Sequence, residues 1–251
     1  MRILKFIFAA VISVFVTSCQ KKKSEMNENN RETEDSLQVY NNISDTLQPI
    51  VFSTEIPAHI EKQYAGKINS LLSKHPNLVE KFSVDGKSFI DLVEKYTFYS
   101  YVKFYFIQDS KDSKMNLGVT FSKNNDYKDI SSDEKYILEN NKFTNEPDLQ
   151  SKIAIYKSSL ATQATFNGKP ATECVIYRYG DVAEYINKRK KYGKGIAKID
   201  FSSVYFFKVK DLDGSDYNVD SKNYDRISFA VHAVYNDGSV DLGYDAGDLK
   251  P

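Results

Sequence analysis

The segment TFYSYVKFYFIQ at residues 97–108, followed after a polar loop by MNLGVTFS at residues 115–122, decides the fold. Apolar and polar residues alternate along both stretches, which is typical of strands with one buried and one solvated face. We therefore predict a β-hairpin with a dry face and a wet face. The dry face is expected to contain these apolar side chains: Phe98, Val102, Phe104, Phe106, Met115, Leu117, Val119 and Phe121.

The opposite face of the first strand is rich in tyrosine. We call it the tyrosine face, and it consists of Tyr99, Tyr101, Lys103 and Tyr105, followed by Ile107. Tyrosine combines a large contact area with a polar tip, which suits a recognition surface. A helix that covered the sheet would bury the same side chains. The sequence leaves open whether this face binds a partner or belongs to the core.

Two helices are predicted upstream of this hairpin. Ile60, Tyr64, Ile68 and Leu71 recur at helical spacing, and Pro76 ends the pattern. Residues 77–82 could add a further turn before Asp85-Gly86 interrupts the chain. Ser88 is then expected to cap a second helix that extends to residue 96, with Asp91 as its reciprocal partner.

Downstream, helical and strand patterns interleave. Helices are predicted over residues 132–140, 147–160 and 181–191, and strands over residues 164–166, 171–179, 199–210, 227–235 and 240–244. Asn167-Gly168 is expected to form a hairpin turn, because this dipeptide tolerates positive φ at both positions. Strands and helices do not alternate regularly. The pattern therefore predicts an α+β fold, with an antiparallel sheet built from hairpins, an N-terminal helical pair and interleaved helices.

The first nineteen residues have the pattern of an export signal. Arg2 and Lys5 precede the uncharged run FIFAAVISVFV, which is too short to cross a bilayer as a helix. The closing tetrapeptide Val16-Thr17-Ser18-Cys19 resembles the lipobox of bacterial lipoproteins. The resemblance implies cleavage between Ser18 and Cys19 and acylation of Cys19. It also implies attachment to a membrane of the bacterial cell envelope, which we expect to be the outer membrane of a Gram-negative cell.

A polar stretch separates this signal from the remaining sequence. Residues 20–56 are rich in Asn, Glu, Ser and Lys and lack sustained periodicity, which favours a flexible tether. We therefore predict a cleaved signal at 1–18, a lipidated Cys and tether at 19–56, and one domain at 57–251. Asp35-Ser36-Leu37 and Asp45-Thr46-Leu47 resemble the O-glycosylation acceptors of exported proteins in one Gram-negative phylum. The resemblance makes Ser36 and Thr46 candidate modification sites.

The charge balance argues against a nucleic-acid-binding protein, and the cysteine content argues against a disulfide-stabilised fold. The chain has 34 basic and 34 acidic residues, so strong attraction to nucleic acid is not indicated. Cys19 and Cys174 are the two cysteines, and lipidation of Cys19 would leave Cys174 without a disulfide partner.

No stretch of the sequence predicts a catalytic, metal-binding or cofactor-binding site. A calcium loop of the EF-hand type requires Gly at its sixth position and a bidentate Glu at its twelfth. Counting from Asp211 in the segment DLDGSD, these positions are Asp216 and Lys222, which favours a turn. The three histidines, His59, His75 and His232, are far apart and lack zinc-ligand spacing. Cys174 lies in a strand and is expected to be a small buried residue, with His232 as its only plausible base.

These features favour a non-enzymatic function. We expect a membrane-anchored lipoprotein that binds a partner protein or an envelope component. One alternative is an envelope hydrolase with a carboxylate site that spacing alone does not reveal. Another is an immunity-type lipoprotein that neutralises an incoming toxin. A deep cavity that joins two carboxylates with His232 or Cys174 would favour the enzyme, and an exposed tyrosine face would favour binding.

Overall fold

The computed structural model describes residues 54–217, 221–245 and 247–251. The helices are α1 (Ala58–Leu72), α2 (Gly86–Lys95), α3 (Leu149–Ser158), α4 (Leu160–Gln163) and α5 (Tyr179–Lys190), and a 3-10 turn spans Ser221–Asn223. The strands are β1 (Thr54–Glu55), β2 (Lys81–Asp85), β3 (Tyr101–Ile107), β4 (Asn116–Ser122), β5 (Glu134–Glu139), β6 (Lys142–Asn145), β7 (Cys174–Arg178), β8 (Ile196–Phe206), β9 (Arg226–Tyr235), β10 (Tyr244–Asp245) and β11 (Asp248–Lys250).

The described strands form two antiparallel sheets, which confirms the predicted α+β class. Sheet A has five strands in the order β1-β10-β9-β8-β2, and sheet B has six in the order β11-β7-β3-β4-β5-β6. The predicted hairpin is β3-β4, at the centre of sheet B. Its register places Val102, Phe104 and Phe106 opposite Phe121, Val119 and Leu117, as the alternation predicts.

The two sheets pack face to face around an aromatic core. The Phe104 ring of sheet B lies 5.1 Å from the Phe201 ring and 5.8 Å from the Phe229 ring of sheet A, measured between centroids. Phe89 of α2 lies 6.0 Å from Phe201 and 6.2 Å from Phe143 of β6. Helix α2 therefore closes the sandwich on the side where β2 and β6 end the two sheets.

Helix α1 covers the outer face of sheet A. Ile60, Tyr64 and Ile68 are buried, as their helical spacing predicts. The Tyr64 ring packs edge-on against Phe206 of β8, with 5.2 Å between the ring centroids. Helices thus occur at both segments where the N-terminal helices are predicted, and strand β2 lies between them in the chain.

The helix predicted over residues 132–140 is wrong. This segment forms β5, which pairs with β6 across Asn140 and Asn141. Both asparagines have positive φ, 49° and 62°, as a two-residue hairpin turn requires. Tyr136 and Ile137 are buried in the sheet, so cross-strand packing prevails over the local helical preference.

Two further local predictions need correction. Helix α2 begins at Gly86, and its N-cap is Asp85 instead of Ser88: the Asp85 carboxylate accepts the Ser88 N–H at 2.7 Å. The turn at Asn167-Gly168 has the expected positive φ values of 49° and 74°. However, its hairpin is reduced to the single bridge between Phe166 and Lys169, because β7 pairs with β3 and β11 instead.

Several predictions concern residues outside those described. They are the signal sequence, cleavage at Ser18, lipidation of Cys19 and glycosylation of Ser36 and Thr46. The last residues assigned to the tether belong to the fold, because β1 pairs with β10 and Ile56 is buried. Within the described ranges, no helix combines the length and the apolar character needed to span a bilayer.

Candidate functional site

The tyrosine face is not a recognition surface. Tyr101, Lys103 and Tyr105 are 5%, 0% and 1% exposed, and only Tyr99, which precedes β3, is half-buried. The segment that joins β4 to β5 folds across this face, and the Tyr105 hydroxyl donates to the Tyr127 carbonyl at 3.0 Å. The alternative in which these side chains are buried is therefore correct. The loop covers part of the face, and Leu149 of helix α3 packs beside Gly118 and Ile107 on the same side of the sheet.

Lys103 connects this covering loop to sheet B. Its ammonium donates to the Ser122 hydroxyl at 2.9 Å, to the Asp126 carbonyl at 2.6 Å and to the Asp133 carboxylate at 3.1 Å. Thr120 donates to the same oxygen of Asp133 at 2.9 Å. Three acceptors satisfy the three protons of the ammonium. We call the Lys103–Asp133 ion pair the latch, because it holds the covering loop against sheet B.

Cys174 lies beside this latch, in register with Tyr105. Its thiol is fully buried and unpaired. Burial raises the pKa of the Cys174 thiol well above its ordinary value, which disfavours the thiolate that nucleophilic attack requires. His232 lies on the outer face of the other sheet, so the suggested Cys174–His232 combination does not form.

His232 instead faces helix α1. Its Nε2 lies 2.7 Å from a Glu61 oxygen, and its Nδ1 lies 3.1 Å from the Asp241 carbonyl oxygen. Burial lowers the pKa of the imidazole, but the hydrogen bonds to Glu61 and Asp241 outweigh burial and raise it above 6.5. His232 therefore points away from the core of the sandwich and towards helix α1.

Arg189 of α5 completes a polar cluster around Asp241. Its guanidinium forms an ion pair with the Asp241 carboxylate and lies between the rings of Tyr185 and Tyr244, 3.4 and 4.2 Å from their centroids. Burial raises the pKa of Asp241, and Arg189 opposes this shift. The cluster joins α1, β9, α5 and the segment before β10, and each of its charged groups faces a partner within the fold.

The remaining titratable candidates are also engaged locally. His59 lies 2.8 Å from an Asp211 oxygen, which ties α1 to the segment 211–216, where turn geometry replaces the calcium loop considered above. His75 packs edge-on against Phe166 at 6.1 Å. Among the described residues, no three His, Cys, Asp or Glu side chains are grouped as metal ligands would be.

The free edge of β2 is the clearest open recognition feature of the described residues. Among the described strands, β2 ends sheet A and pairs only with β8. The Ser203 N–H donates to the Glu80 carbonyl at 2.7 Å, which places Phe82 and Val84 among the residues bonded to β8. The backbone groups of Lys81, Ser83 and Asp85 therefore point away from the sheet. The Asp85 N–H confirms this parity by donating to the Asn141 carbonyl at 2.7 Å.

Two grooves border this edge. One, of about 470 Å³, lies beside Val79, Glu80 and Lys81 and is also lined by Leu72, Leu78 and Lys114. The other, of about 350 Å³, lies beside Ser83, Val84 and Asp85 and is also lined by Asn140, Asn141, Lys142, Ala197 and Lys198. The open backbone groups of Lys81 and Ser83 lie between them. Neither groove includes Cys174, His232 or any residue of the tyrosine face.

Four lysines and the carboxylates of Glu80, Asp85 and Asp200 surround this edge. Lys81 and Lys198 both contact Asp200, at 3.4 and 3.1 Å, and Ser83 donates to the same carboxylate at 2.7 Å. Burial raises the pKa of Asp200, but the Ser83 and lysine contacts outweigh burial and lower it. The grooves add Lys114 and Lys142, both of them exposed.

The sequence predicts no strand at β2, and this site was therefore missed. The signal that could have revealed it is the alternation of buried Phe82 and Val84 with Lys81, Ser83 and Asp85. Five residues are a weak pattern, and the adjacent Asp85-Gly86 favours a break in the chain. The position of β2 at the end of the sheet depends on its pairing with β8, which is more than a hundred residues away.

No protein-family model, curated protein sequence or solved structure matches this chain.

Proposed function

We propose that this protein is a lipid-anchored, non-enzymatic binding module of the bacterial cell envelope. In this proposal Cys19 attaches the chain to the outer membrane of a Gram-negative cell, and the domain holds a partner protein or an envelope component. The observation that carries the binding function is the open edge of β2 between two grooves. The lipobox at residues 16–19 supports the anchor, because several acyl chains together hold a protein stably on a membrane.

The arrangement of the charged clusters supports binding over catalysis. Lys103–Asp133 has side chains 0% and 1% exposed, and Arg189–Asp241 has side chains 3% and 13% exposed. These groups are oriented towards each other and tie elements of the fold together. The β2 edge, in contrast, has backbone donors and acceptors directed outwards beside concave space. Exposed strand edges of this kind are common sites for the binding of extended segments.

A combined test addresses the anchor and the binding edge. The wild-type chain should fractionate with membranes and retain its partner when envelopes are solubilised gently. Cys19→Ser should move to the soluble fraction, and Ser83→Pro should stay with membranes but lose the partner. Ser83→Ala is the control, because it keeps the backbone N–H that proline removes. Membrane association of Cys19→Ser without acyl groups would refute the lipid anchor, and equal partner recovery with Ser83→Pro would refute the β2 edge.

A further inference from the structure

We infer that the β2 edge binds an extended, acidic peptide segment of its partner, which adds to sheet A as a sixth strand. This inference rests on the binding function proposed above and specifies its ligand. A strand supplies backbone hydrogen bonds in a row, and the open edge presents a matching row of donors and acceptors.

Alternate residues of β2 direct their backbone groups away from β8, and this limits where the peptide can pair. Lys81 and Ser83 each direct one N–H and one C=O away from β8, which provides four hydrogen-bonding groups. At Asp85 the outward N–H is already bonded to Asn141, at the turn between β5 and β6. This turn therefore marks one end of the docking site. The peptide therefore pairs along Lys81–Ser83 and leaves past the β5-β6 turn, because the Val79 carbonyl already accepts the Ser203 hydroxyl at 2.6 Å.

The grooves provide space for side chains at both ends of this stretch. The grooves lie beside opposite ends of Lys81–Ser83, so the two ends of a bound segment reach different surroundings. Leu72 and Leu78 give the groove beside Glu80 an apolar wall. Asn140 and Asn141 give the groove beside Ser83 a polar wall. Each groove is also lined by a lysine, Lys114 beside the apolar wall and Lys142 beside the polar wall.

Charge indicates that the ends of the peptide are acidic. Four lysines surround the edge, and the carboxylates near them are Glu80, Asp85 and Asp200. Asp200 is engaged by Lys81 and Lys198, and Asp85 caps helix α2. Lys114 and Lys142, one in each groove, form no ion pair with the residues that the structure describes. A carboxylate at each end of the bound segment would satisfy them.

A pair of synthetic peptides tests the inference. The probe is Glu-Thr-Val-Thr-Val-Thr-Glu, blocked at both ends, and the control is the same peptide with lysine at both ends. The full chain in detergent is titrated, and amide exchange at Lys81 and Ser83 is followed together with fluorescence anisotropy. We expect the acidic probe to protect both amides and to bind at least tenfold more tightly than the lysine peptide at low salt.

Matched variants separate edge pairing from charge attraction. Ser83→Pro should reduce affinity at least tenfold, because it removes the Ser83 N–H, which points away from β8. Ser83→Ala keeps this N–H and should remain within about twofold of wild type. Lys114→Glu and Lys142→Glu should weaken binding mainly at low salt. Thermal unfolding of each variant verifies that the domain is folded.

Two results would overturn the inference. One is the absence of protection at Lys81 and Ser83 with the acidic probe at millimolar concentration. The other is equal affinity of Ser83→Pro and Ser83→Ala. If the peptide fails while the envelope partner is still lost in Ser83→Pro, strand addition by an acidic segment is wrong and the proposed binding function stands. If both fail, the binding function is wrong as well.

Discussion

Removal of the Lys103 ammonium should destabilise the domain more than most other single substitutions of a polar side chain. Lys103→Ala leaves the Asp133 carboxylate buried with only the Thr120 hydroxyl as a partner, because its second oxygen has no hydrogen bond within the described residues. The loss of one member of a buried ion pair costs about 3–5 kcal/mol. For a domain of this size, about 2–4 °C of melting temperature is lost per kcal/mol. We therefore expect a decrease of roughly 6–20 °C.

Urea unfolding followed by tyrosine fluorescence and circular dichroism would measure this loss. The double variant Lys103→Met/Asp133→Leu should recover most of the stability, because an apolar pair of similar volume avoids the uncompensated charge. Lys87→Ala is the control, since it breaks the exposed Lys87–Asp91 pair and should leave the midpoint nearly unchanged. A loss below about 1 kcal/mol for Lys103→Ala, which is the range of an exposed pair, would refute the assignment of Lys103 as the latch of the loop.

Three other predictions concern local features of the fold. Gly66→Ala should stabilise α1 by about 0.5–1 kcal/mol in thermal unfolding, since an added Cβ meets open space. Gly86→Ala should destabilise α2, since its Cβ would collide with the Ile196 carbonyl. A destabilised Gly66→Ala together with a stabilised Gly86→Ala would contradict both backbone positions. Wild type should have a larger free energy of unfolding than His232→Gln, with the full difference below pH 6.5 and a decrease as the pH rises through the raised pKa of His232. Urea unfolding across this pH range measures the difference. A difference that grows with pH would contradict the Glu61 contact. Cys174 should react with a thiol reagent only after denaturation, because it is fully buried with a raised pKa, and rapid reaction of the native protein would argue against this position.

The sequence predicts the centre of sheet B well, because period-two alternation is strong there. Phe104 and Phe106 face the core as predicted, and their partners in β4 have the expected register. Phe98 was assigned to the same face but is 85% exposed, because β3 begins only at Tyr101. Alternation therefore identifies the faces of the strand but not the residue at which pairing begins.

Features that depend on distant partners could not be predicted in the same way. The sequence leaves open whether Lys103 is exposed, because it does not reveal that residues 123–133 cover it, with Asp133 thirty residues further along the chain. The β5-β6 hairpin was also missed, although Asn140-Asn141 is a turn signal when both residues adopt positive φ. The β2 edge was missed because its exposure depends on the order of strands in sheet A.

Site-specific photo-crosslinking in intact cells tests the proposed binding function most directly. A photoreactive residue in place of Lys81, at the centre of the open edge, should form a product with an acidic extended segment of a partner. The product should disappear with Ser83→Pro and persist with Ser83→Ala. The same residue in place of Lys188, which is exposed on α5, should not form it. The absence of any product at Lys81, or an identical product from Lys188, would contradict binding at the β2 edge.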